Sequence, residues 1–210
     1  MTVEAVSTEQ ITGGFYNADT NDFTSAVVEI LKSDGSIEVI HRSWITERAL
    51  YDRIDITLDE AKEFYNDNDF IIVKSKYVDY TLISDWFVEQ TEKSPIEAIG
   101  FDPYKGMMLA EHLASLGFKT VLIRQVALTL DQPTRDLMWL ESAGKLINDK
   151  MLSWYFSNVE IKSDKKGNHF PGRKSRTHST SGVNALINAH ALALDYTRFI
   201  KARGDQIYES

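Results

Sequence analysis

The stretch from residue 96 to 125 constrains the fold more than any other part of the sequence. IEAIGF (96–101) reads as an apolar strand ending at Asp102. KGMMLAEHLASL (105–116) reads as a helix closed by Gly117 at its C′ position, and KTVLIRQ (119–125) reads as the next strand. Strand, helix and strand within roughly thirty residues make a parallel unit. Its crossover is expected to be right-handed.

The neighbouring segments give that unit a sheet to join. EQITGGFY (9–16), TSAVVEILK (24–32) and SIEVIHRSW (36–44) read as strands, with Ser33-Asp34-Gly35 as a hairpin signal, so the opening third is expected to be an antiparallel meander. Residues 46–66 are charged and helical in composition, with Thr57 or Asp59 capping the second part. FIIVK (70–74) reads as a short strand, and 79–92 as a helix ended by Pro95. A helix over 132–143 is expected to carry Pro133 in its first turn. Residues 151–157 follow as a short apolar helix, and 158–170 as a hairpin turning at Lys165-Lys166-Gly167. A last helix over 182–201 carries the apolar stripe Val183, Leu186, Ile187, His190 and Leu194. Trp86, Trp139 and Trp154 sit in apolar patterns and are assigned to the core. Meander plus parallel unit gives an α/β fold with one mixed sheet flanked by helices.

Composition narrows the chemistry. With 210 residues and 43% hydrophobic content the chain suits one domain with a real core. It has no cysteine, which excludes disulfides, thiolate metal sites and a Cys nucleophile. No segment has the length of a membrane span, and the N-terminus lacks a signal-peptide pattern, so a protein that is not secreted is expected. The net charge of −8 argues against a generally basic nucleic-acid binder. Residues 151–178 depart from this: Lys162, Lys165, Lys166, Arg173, Lys174 and Arg176 stand against only Glu160 and Asp164. That asymmetry fits a local anionic partner as well as a solvated loop.

Several chemistries are missing their motifs. There is no GxxxxGK[ST] phosphate loop, no HExxH and no GxSxG. His41, His112, His169, His178 and His190 have no ligand spacing and read as structural or solvated. Asp102 is the acid best placed for chemistry, at the C-terminal end of a parallel strand, where ligand sites form. It can hold Mg²⁺ or Mn²⁺ through oxygen, and it is equally suited to cap the following helix. Asp19 and Asp22 lie in a turn, which favours Asp for local hydrogen bonds.

GGFYNADTNDFTS, WITERAL, VDYTLI, IEAIGFDPYKGMMLAEHLASLGF, IRQVALTLDQPTRDLMWLESAGKL, SWYFSNVEIKSDKKGNHFPGRKSR and GVNALINAHA occur in that order over nearly the whole chain. In this ordered combination the sequence resembles the C-terminal nuclease domain of tailed-phage terminase large subunits. The resemblance implies a ribonuclease-H-like fold and a Mg²⁺- or Mn²⁺-dependent endonuclease acting on double-stranded DNA. Two divalent ions would be held by carboxylates on the first strand, the central strand and the final helix. Asp102 matches the central-strand ligand and would be catalytic. The first-strand position is Tyr16 and the final-helix position is Ser181, so both expected carboxylates are replaced by neutral groups. Asp19 and Asp22 are the substitute acids within reach of the first motif. The basic residues from Lys162 to Arg176 would contact DNA. The resemblance further implies the host cytoplasm as location, and a terminase ATPase domain, the small terminase or the portal protein as partners. Residues 1–210 are expected to form one nuclease-like domain, with no ATPase domain. A second reading is a catalytically inactive derivative that serves as a DNA-binding or protein-docking module.

Overall fold

The computed structural model describes residues 9–18 and 21–207, with side chains described through residue 194. Strands β1 (Gln10–Tyr16), β2 (Thr24–Leu31) and β3 (Ile37–Thr46) form the expected antiparallel meander. Gly35 takes φ of +75°, the left-handed conformation that the tight β2–β3 turn requires. Strand β5 (Ala98–Phe101) lies parallel to β1, and β6 (Thr120–Leu122) parallel to β5. Between them runs α4 (Pro103–Ser115), which completes the parallel unit. Strand β4 (Phe70–Val73) runs parallel to the far edge of β3, giving the order β4-β3-β2-β1-β5-β6. The mixed sheet flanked by helices is therefore present.

Each face of the sheet has its own core. Alternation along β2 sends Ala26, Val28 and Ile30 to one face, where they meet Trp86 and Phe87 of α3 (Tyr80–Lys93) and Leu109 of α4. Phe15 of β1 stacks on Phe101 of β5 in this layer, centroids 5.6 Å apart, a pairing worth about 1 kcal/mol beyond burial. Val27 faces the opposite side, with α5 (Ala127–Ser142), α6 (Lys150–Ser157) and α7 (Ser181–Ile207). Helix α7 crosses β1 and β5 where Gly14 and Gly100 are register partners. A Cβ on Gly14 would collide with the Ala185 carbonyl, and one on Gly100 with that of Asn188, so glycine lets the helix backbone rest on the strands. Buried Asn188 then donates to the Phe15 carbonyl at 2.9 Å.

The structure meets some of the remaining sequence-based expectations and departs from others. Residues 46–66 form two helices, α1 (Glu47–Tyr51), capped by Thr46, and α2 (Leu58–Asn66), opened by a Thr57–Glu60 capping box. Helix α5 begins at Ala127, so Pro133 lies inside it rather than in its first turn. The amides of Thr129 and Leu130 close on the Val126 carbonyl ahead of the proline. Burial of Leu130, Leu137 and Leu140 offsets the one helical hydrogen bond that Pro133 cannot donate. The two-residue strand β7 (Leu146–Ile147), beside the start of β3, gave no sequence signal. The hairpin forms from β8 (Val159–Ser163) and β9 (His169–Arg173), with Gly167 at φ +84° in its turn. Trp139 is 54% exposed beneath the Lys145 ammonium, 5.5 Å from its ring, and is not a core residue.

Candidate functional site

Parallel strands β1 and β5 both point their C-terminal ends toward one edge of the sheet, which delivers Tyr16 and Asp102 there. Beside Tyr16 opens a cleft of about 360 Å³. Its walls come from the turn after β1, the α1–α2 connection, the first turn of α4 and the segment after β9. Four cations line it, Arg53, Lys105, Arg173 and Arg176, against two carboxylates, Asp22 and Asp52. The cleft is thus locally cationic on a chain of net charge −8.

Asp22 is bound tightly by these cations. Its Oδ1 accepts from Arg53 Nη1 at 2.9 Å, and its Oδ2 lies 2.8 Å from Arg173 Nη2, with only 10% of the side chain exposed. Asp55, whose side chain is fully buried, accepts from Arg53 Nε at 2.8 Å and Nη2 at 2.6 Å. Burial works against the Arg53 charge, but the Asp55 hydrogen bonds and the Asp22 charge outweigh it and raise its pKa. Burial also holds the Tyr16 phenol above its ordinary pKa, against the pull of Arg173. Tyr16 therefore enters the cleft as a neutral hydroxyl at neutral pH.

Residues 14–196 match the family model "Terminase large subunit, endonuclease domain". The chain belongs to that family. Solved structures agree on the fold. The HK97 bacteriophage large terminase matches with a TM-score of 0.76 at 16% identity, covering 88% of this chain and 39% of that one. The chain therefore spans well under half of that terminase. The large terminase nuclease of thermophilic phage G20c matches with a TM-score of 0.57 at 14% identity, over 88% and 82% of the two chains. The g2p nuclease domain of bacteriophage SPP1, solved with bound Mn, gives 0.50 at 14% identity, over 89% and 86%. The G20c nuclease has also been solved with bound magnesium. No curated protein matches the sequence.

Of the residues singled out by sequence, Tyr16, Asp22, Arg173 and Arg176 meet at this cleft and the Asp102 charge acts on the Tyr16 phenol, while the other described ones lie elsewhere. Asp102 is the N-cap of α4 and accepts from the Tyr104 amide at 2.9 Å. Ser181 opens α7 with its hydroxyl buried 3.1 Å from that of Ser179, and it does not line the cleft. Asp19 lies outside the described residues. Among the described residues, no group of three His, Cys, Asp or Glu side chains is placed to hold a metal ion. The basic segment also divides. Arg173 and Arg176 reach the cleft, whereas Lys165 and Lys166 sit at the hairpin tip near Val126 and Leu128. Lys174 donates to the Ser157 carbonyl at 2.6 Å, and Lys162 pairs with Glu160 at 3.9 Å. Sequence reasoning missed Arg53 and Lys105, which lie far from that segment. Lys105 was legible in one respect, standing three residues after the strand-ending Asp102.

Two further polar clusters lie under the sheet. His190 of α7 sets Nδ1 2.8 Å from Glu29 Oε1 and Nε2 2.8 Å from Asp136 Oδ2. Facing two acceptors, the ring must donate from both nitrogens, and its pKa rises to about 9: the nearby carboxylates overcome the opposing effect of burial. In the second cluster His41 joins Asp149 at 2.8 Å and Ser43 at 2.9 Å, and Ser43 joins the Tyr155 hydroxyl at 3.0 Å. Ser, His and Asp meet here as in a hydrolase, but Ser43 is fully buried, so no substrate reaches it. Among the described residues no helix is long and apolar enough to cross a membrane.

Proposed function

We propose that this terminase endonuclease-type domain seats the phosphate backbone of double-stranded DNA in the Arg53–Lys105–Arg173–Arg176 cleft, with weak or undetectable metal-dependent cutting. The observation that carries the reading is that the cleft presents cations where a two-metal centre needs converging anionic oxygens. Tyr16 and Ser181 are neutral, Asp102 caps a helix, and Asp22 is held by two guanidiniums. These donors do not fit a pair of divalent ions. They do fit phosphate: Arg173 and Arg176 offer guanidinium forks and Tyr16 a phenolic donor to a phosphodiester oxygen.

The reading favours the DNA-binding alternative over the nuclease one. Within a terminase, such a domain would hold duplex beside an ATPase domain, a small terminase or a portal protein, in the host cytoplasm. Fluorescence anisotropy with a duplex in EDTA tests it. Binding is expected without metal and should weaken with salt at a log–log slope of roughly −2 to −4, the signature of a few phosphates neutralised. A chain that binds no duplex in EDTA at low salt contradicts the reading.

A further inference from the structure

Arg53 is out of proportion to an ordinary cleft arginine. All five of its N–H donors have acceptors. Nε donates to Asp55 Oδ1 at 2.8 Å and Nη2 to Asp55 Oδ2 at 2.6 Å and the Thr177 carbonyl at 3.1 Å. Nη1 donates to Asp22 Oδ1 at 2.9 Å and the Asn21 carbonyl at 3.3 Å. The guanidinium also lies 5.0 Å from the centroid of the Phe23 ring, and only 5% of the side chain is exposed. Asp55 extends the network by accepting from the Ser179 amide at 2.9 Å.

We infer that Arg53 is a resident cation: its guanidinium does between Asp22 and Asp55 what a divalent ion would do, and so positions the cleft walls without metal. Every acceptor around it is oxygen, two carboxylates and two backbone carbonyls, which is also the ligand chemistry of a hard divalent cation. The acceptors belong to three chain segments: the turn after β1, the α1–α2 connection and the approach to α7. One buried charge therefore ties together segments more than a hundred positions apart. Removing it would leave the fully buried Asp55 without its counter-charge, and Asp22 with Arg173 alone. Arg53 acts on DNA through this arrangement, as a positioning residue. The inference rests on the reading of the cleft as a metal-free DNA seat, but its test is separate.

The test uses the whole chain. In EDTA, Arg53→Ala is expected to melt roughly 10 °C below wild type. Added Mn²⁺ should raise the melting temperature of the variant by several degrees, while NaCl of matched ionic strength should not. Wild type should not respond to Mn²⁺. Arg53→Lys keeps a charge in place and should respond less than Arg53→Ala, and adding Asp22→Asn to Arg53→Ala should remove the response. If Arg53→Ala is unfolded in EDTA, the same titration reads recovery of its far-UV helical signal. The inference is overturned if Arg53→Ala melts with wild type, if Mn²⁺ stabilises wild type as much, or if Mn²⁺ neither stabilises nor refolds the variant. Duplex binding by wild type in EDTA decides the DNA reading alone, whichever way the Mn²⁺ series comes out.

Discussion

Among the described residues, two nearly buried cations each lie between two carboxylates. At the cleft Arg53 lies between Asp22 and Asp55; under the sheet His190 lies between Glu29 and Asp136. Both cations are nearly buried, so each is held only because its charge is met on both sides. The difference is in the cation. A guanidinium cannot lose its proton in a protein, whereas an imidazolium can. The Arg53 guanidinium thus keeps its charge at every working pH. The His190 imidazolium is the one of the two that can lose its proton.

The largest effect should come from emptying the inner cluster. His190→Ala leaves Glu29, fully buried, facing no cation, and should cost about 3–5 kcal/mol in urea denaturation. A loss under 1 kcal/mol would mean that Glu29 finds water or another partner, and would break the parallel. The next effect is alkaline. The folded pKa of His190, about 9, lies above its ordinary value of 6.5, so its stabilisation is complete below about pH 6.5 and is lost as pH rises through about 9. Melting experiments from pH 7 to 10 should show a loss approaching 2–3 kcal/mol. His190→Gln should flatten that slope, whereas the Arg53 cluster should contribute none. An unchanged slope in His190→Gln would assign the alkaline loss elsewhere.

The cleft is sharpened by splitting the basic segment. Arg173→Glu with Arg176→Glu should weaken duplex binding tenfold or more, about 1.4 kcal/mol or above, and make the salt slope shallower by roughly two. Lys165→Glu with Lys166→Glu, at the hairpin tip, should leave affinity within about twofold. Equal losses in both would place the duplex along the hairpin instead of the cleft. The smallest effect is Asp22→Asn, which removes one anion from the cleft and should tighten binding about two- to fivefold.

The elements were largely legible because their signals are local. Gly35, Gly117 and Gly167 mark turns, Thr57 marks a helix start, and the alternation of Ile37, Glu38 and Val39 marks β3. Pro133 misled because a proline suits the first turn of a helix, and here tertiary burial carries the helix through it. The resemblance placed Tyr16, Asp102 and Ser181 at motif positions, and the fold does set Tyr16 and Asp102 at one sheet edge. The cleft itself was hardly legible. Asp22 read as a turn residue because a sequence shows the turn but not the guanidiniums of Arg53 and Arg173 closing on it from distant segments. Likewise the charge asymmetry over 151–178 grouped six cations, yet a hairpin sends its tip and its base in different directions, and only two of the six line the cleft.

Incubation of the purified chain with duplex DNA and Mn²⁺, read on a denaturing gel beside a binding assay in EDTA, tests the central claim most directly. The account predicts DNA bound in EDTA and left intact in Mn²⁺. Nicking or cutting that requires Mn²⁺, and that disappears in Asp102→Asn, would contradict it and show that the fold assembles a working metal centre.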